Sequence, residues 1–176
     1  MKTRLLPSAV FGMFVLAISL FFAASRATAV APKADSPAVE RARREVRLLD
    51  DIYKTAIVLI TKHYVKEEDH LPAGEAFKVL FQSMKEKGWH EVRLLDATGG
   101  PINDENRPQD DFERKAVSEL LAGKPYYEEI VSREGKWYLR ATTPVPVVME
   151  KCVMCHENYR DNKKIVGAIG YILPLE

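Results

Sequence analysis

The chain has 176 residues, with 26 basic and 25 acidic side chains and four histidines, so it carries almost no net charge. No basic stripe runs through it, which excludes an electrostatic nucleic-acid binder. The length fits one domain of ordinary size with a modest core, and no internal repeat divides it.

Lys2 and Arg4 precede a nearly unbroken apolar run from Ala9 to Ala24, and Ala27-Thr28-Ala29 follows as a small-x-small cleavage site. Residues 1–29 therefore read as a secretory signal peptide. The run is shorter than the roughly 20 residues of a spanning helix, which favours cleavage over an uncleaved membrane anchor. Either way the rest of the chain is expected outside the cytoplasm, in the periplasm, touching the membrane only through that segment. Loss of Lys2, Arg4 and Arg26 would leave 23 basic and 25 acidic residues, a net charge of −2. Residues 30–38, with Pro32 and Pro37, read as a flexible leader, and 39–176 as one domain.

A helical pattern begins near Val39 and ends near Val65. Leu48, Leu49, Ile52, Ala56, Leu59, Ile60 and His63 recur at three- and four-residue steps, and at 100° per residue they form one apolar stripe that predicts His63 facing the interior. The polar stretch from Lys66 to Pro72 is a loop. Ala73 to Lys87 reads as a second helix, with Ala76, Phe77, Leu80, Phe81 and Met84 on its apolar side and Gly88 as its stop. Glu91 to Asp96 reads as a strand, Asn103 to Asp110 as a loop and Asp111 to Leu121 as a third helix. Tyr126 to Val131 and Trp137 to Thr143 form a hairpin about Glu134-Gly135. Pro144-Val145-Pro146 is expected to break regularity, and Gly167 to Leu173 closes the chain as a last strand. This order of elements is α+β with an antiparallel sheet.

Between the last two strands stands Cys152-Val153-Met154-Cys155-His156, a C-x-x-C-H run. The spacing has a chemical reason. Two thiols form thioethers with the vinyl groups on one edge of a porphyrin, and the next residue places an imidazole under the iron as an axial ligand. These are the only cysteines, so a four-thiolate zinc site is excluded, and the remaining alternatives are a redox-active dithiol, a short disulfide or half of a zinc site. The export signal agrees with haem, since c-type haem is attached after export in bacteria. One covalent haem c, held by Cys152, Cys155 and His156, is the expected cofactor.

The chain resembles the c-type haem-binding, PAS-like sensor domains that occur as exported proteins and as the outer part of some histidine kinases. The residues that carry the resemblance are Gly88-Trp89 leading into Val92-Arg93-Leu94, Asn106-Arg107-Pro108 before Phe112-Glu113, and Tyr138-Leu139-Arg140-Ala141 leading to Pro144. The C-x-x-C-H run and Gly167-Ala168-Ile169-Gly170 complete them. The resemblance implies a PAS-like sheet, a long N-terminal helix and a covalent haem c loop near the C-terminus. It also implies a cysteine as second axial ligand, on a helix of the N-terminal half. By spacing from Gly88-Trp89 that position falls near Ala76 or Phe77, neither of which binds iron.

Another sixth ligand is therefore required, unless water or nothing fills the position. His63 is the first candidate, through its place on the apolar stripe, and Met84 the alternative, because a thioether ligates haem c in many cytochromes. His70 lies in a polar loop, and His90, beside Trp89, is expected at the surface. Met149 and Met154 are too close to the attachment loop to reach the distal side. Arg93 and Arg140 are candidates for pairing with haem propionates, against plain surface roles. No nucleophile–base pair, phosphate loop or further metal cluster is legible. The expected function is a redox- or gas-responsive haem sensor with a diatomic gas ligand and a redox or signalling partner. A single-haem electron carrier is the alternative, and a small haem peroxidase a third reading.

Overall fold

A computed structural model describes residues 30–64, 73–160 and 165–176. The expected signal peptide, the 66–72 loop with His70, and residues 161–164 lie outside the described residues. The described chain is α+β. Helix α1 spans Pro37–His63 and α2 spans Ala73–Glu86. Strand β1 (Glu91–Asp96) leads through a short 3₁₀ turn to α3 (Asp111–Leu121). The hairpin β2 (Tyr127–Arg133) and β3 (Lys136–Pro146) follows, then the short helix α4 (Glu150–Cys155), a second 3₁₀ turn (Glu157–Tyr159) and β4 (Ile165–Pro174).

The helix starts have local causes. Ser36 caps α1 by accepting from the amide of Val39, with Pro37 in the first turn. Asp110 caps α3 by accepting from the amide of Glu113, and Glu113 reaches back to the amide of Gln109. Glu134 and Gly135 have φ of 52° and 79°, so the hairpin turns through two left-handed residues, as two-residue hairpins require.

The four strands form one antiparallel sheet in the order β1-β4-β3-β2. Alternation along the strands gives the sheet two faces. Leu139, Ala141, Ile169, Tyr171 and Leu173 pack under α1 and α2, with Val46, Tyr53, Phe77 and Phe81. Leu95 and Ala168 pack on the other face with Val117 and Leu120 of α3. The hydroxyl groups of Tyr171 and Thr143 both donate to Asp50 of α1, which tethers the helix to the two central strands.

Two expectations are corrected. β3 does not stop at Thr143 but pairs with β4 as far as Pro146, with a bulge after Val145. Its pairing with β2 ends at Thr142, so both prolines fall where β3 has lost one neighbour and a missing N–H is tolerated. The core stripe of α1 is only partly the expected one. Leu49, Ala56 and Ile60 pack against the core as expected, joined by Val39, Ala42, Val46 and Tyr53, whereas Leu48, Ile52 and Leu59 are exposed. The buried face is rotated toward the side that seats Tyr53 against the α2 aromatics.

Candidate functional site

Helix α4 holds the C-x-x-C-H run. Cys152 is half-buried, and Cys155, three residues on, ends the helix. The side chain of Cys155 lies outside what is described. The backbone leaves the helix at His156 (φ −126°, ψ 67°), and the amide of Tyr159 bonds back to the His156 carbonyl at 2.9 Å. That turn stacks the His156 ring on Tyr159, with centroids 4.6 Å apart and planes 4° from parallel.

Nδ1 of His156 is buried and has no partner among the described residues. Burial also lowers the pKa of His156, which keeps the ring neutral, the form that ligates a metal. Burial and the neighbouring Asp96 carboxylate raise the pKa of Tyr159, so its phenol stays protonated. Asp96 ends β1 and accepts from the amides of Thr98 and Gly99 at 3.1 and 2.7 Å. The site thus lies at the Asp96 end of β1, where β4 begins opposite it.

Lys151 ties this site to α1. Its ammonium donates to the carbonyls of Thr61 and Lys62, at 3.5 and 3.1 Å. A cation there satisfies carbonyls that the last turn of a helix leaves unpaired. No sequence pattern flags Lys151, because its partners lie 89 and 90 residues away.

The other candidates are spread over the fold. His63 ends α1, next to Lys62, and is exposed, which corrects the expectation that its ring faces the interior. Met84 lies near the opposite end of β1, where its carbonyl accepts from the amide of Trp89. His90 is also at that end. It is buried, not at the surface, with Nε2 2.8 Å from the Tyr53 hydroxyl. Ala76 is exposed, and Phe77 is core, edge-on to Tyr53 at 6.1 Å. Arg93 and Arg140 are engaged with Glu113 and Asp110 on the α3 face. Among the described residues, no group of three or more His, Cys, Asp or Glu side chains is placed to hold a metal ion, and no helix is long and apolar enough to cross a membrane.

Fold and site together define an α+β domain with a four-stranded antiparallel sheet and a cysteine–histidine turn docked on the end of its first helix. The family model described as Tll0287-like matches residues 31–170, and the chain belongs to the Tll0287-like family. No curated protein matches the chain.

Proposed function

We propose that this protein is an exported, PAS-like module that holds one covalent haem c and responds to the redox state or ligation of its iron. The observation that carries the reading is the Cys152–Cys155 pair on α4, followed by the half-buried His156, whose Nδ1 has no partner among the described residues and whose pKa burial lowers. The donor set fits the group: two thiols one helical turn apart and a histidine at the helix end. The antiparallel sheet with its first strand beside its last, and a helix on the crossover, supports the PAS-like reading.

When bound, the haem would supply a redox-active iron that a residue near the end of α1 could also ligate. Cys152 and Cys155 would hold the porphyrin edge. His156 would offer its imidazole from a plane fixed by Tyr159. Exposed Leu59 and Tyr64, on the last turns of α1, leave apolar surface on the helix end to which Lys151 fastens α4. His63 stands on that same turn, and we assign it the sixth position ahead of Met84 at the far end of β1. A sensor is favoured over an electron carrier because the attachment helix is bonded to the end of α1. That helix runs the length of the sheet and is tethered to it by Asp50. A change at the iron therefore has a mechanical path along α1.

The test uses the exported protein with its haem. The pigment is expected to survive denaturing electrophoresis and to vanish when Cys152 and Cys155 are both replaced by Ala. Extractable haem in the wild type would refute covalent attachment. His63→Ala is expected to turn a low-spin spectrum high-spin and to open the ferrous form to CO, with Met84→Leu unchanged. CO binding that shifts the thermal midpoint supports the sensor. Fast electron exchange with cytochromes and no such shift would make the protein a carrier.

A further inference from the structure

A second site lies around the β1 edge of the sheet. A cavity of about 420 Å³ is bounded by β1, the C-terminal half of β4, the N-terminal turn of α3 and one side of α2. That volume is within the range of small-molecule pockets. Its floor includes Gly170, in the middle of β4.

The two glycines of β4 differ in what they do. A Cβ on Gly167 would stand 2.9 Å from the backbone oxygen of Leu95, so close strand packing requires that glycine. A Cβ on Gly170 would meet nothing nearer than Leu95 Cδ1 at 3.5 Å, an ordinary contact. The protein's own packing does not require Gly170, since a Cβ there would make only ordinary contacts with Leu95 and Arg93.

Unmet hydrogen-bonding capacity lies beside the cavity. Arg140 points to the same face, with its side chain nine-tenths buried. It donates to Asp110 at 2.7 Å, but Glu113 is 3.6 Å from its other terminal nitrogen, beyond a hydrogen bond. Nε of Arg140 has no partner among the described residues. Phe112 lies under the guanidinium, 4.1 Å from the ring centroid, and fixes its plane. Arg140 is on the cavity wall, and an orphan buried nitrogen there is costly unless something binds it. The lining carries Lys78, Lys85, Arg93 and Arg140 against three carboxylates, Glu91, Glu105 and Glu113. With Asp110, the ion-pair partner of Arg140, the charges balance, so the preference rests on the free Nε of the guanidinium.

We infer that this cavity binds a small organic carboxylate, seated over Gly170 and held by the guanidinium of Arg140. Arg140 presents a planar fork that matches a carboxylate, which an ammonium does not. None of its residues belongs to the C-x-x-C-H turn, and Arg93 and Arg140, weighed in the sequence for haem propionates, lie here on the α3 side.

The test titrates the mature, haem-loaded protein with acetate, L-lactate and succinate at constant ionic strength, with chloride as control, by calorimetry and by amide shifts. Saturable binding of at least one carboxylate is expected at or below roughly 10 mM, and chloride should not reproduce it. Gly170→Val, which fills the floor and leaves every charge in place, is expected to weaken binding at least about tenfold while the circular dichroism and haem spectrum stay unchanged. Arg140→Lys should weaken it about as much. If none of the three carboxylates saturates, water alone fills the cavity and the proposal fails. If Gly170→Val binds as well as wild type, the ligand sits elsewhere and the proposal fails too.

Discussion

His90 shows how a single side chain sets acid tolerance. It is buried against Tyr53, and burial lowers its pKa from the ordinary 6.5. The folded protein then refuses a proton that the unfolded chain accepts, so stability falls as pH drops below about 6.5 and keeps falling until the folded histidine itself titrates. The urea midpoint is expected to decline across that window, and to decline less in His90→Gln, whose amide still reaches the Tyr53 hydroxyl. An unchanged slope in the variant would assign the dependence to other groups. Individual residues were unevenly legible in the sequence. Cys152, Cys155 and His156 announce themselves because their chemistry demands adjacent positions. His90 does not, because its burial follows from Tyr53, 37 residues away. The histidine on the visible stripe ended exposed, and the one in a polar neighbourhood ended in the core.

At the scale of elements, the helices and strands were legible almost throughout. Caps and turns such as Asp110 and Glu134-Gly135 are written locally, and β1 and α3 have the bounds that the pattern predicts. The face that α1 buries was legible only in part. Leu49, Ala56 and Ile60 pack on the core as the stripe predicts, but its rotation toward Tyr53 depends on partners the stripe itself does not name. Asp50 helps to set it. It accepts from Tyr171, whose side chain is fully buried, from Thr143, and from Lys54 at 2.9 Å. Burial and the Asp50 charge both raise the pKa of Tyr171, so the phenol remains a donor. Asp50→Ala orphans two buried hydroxyls and is expected to cost about 2–4 kcal/mol in urea denaturation. Tyr171→Phe removes one donor and leaves the carboxylate its other partners, so about 1 kcal/mol is expected. Equal losses in the two variants would mean that Asp50 does not organise the tether.

For the whole molecule, the fold class follows from the order of elements, whereas the strand order and the second cavity arise only when distant segments meet. Gly167 and Gly170 look alike in sequence, yet one is needed by the sheet and the other is not. Gly167→Ala is expected to destabilise by about 1–3 kcal/mol, because Leu95 belongs to the neighbouring strand and its backbone must retreat. Gly170→Ala should stay within about 1 kcal/mol of wild type, and a reversed ranking in thermal denaturation would contradict the packing argument. The end of β3 has a further consequence. Beyond Thr142 the strand β3 has no β2 partner, and a strand edge without a neighbour is a template on which another chain can add itself. Pro144 and Pro146 occupy that stretch and offer no amide hydrogen to an incoming strand. The same prolines that end regular pairing therefore guard the folded protein, and any copy still folding beside it, against growth of the sheet from molecule to molecule.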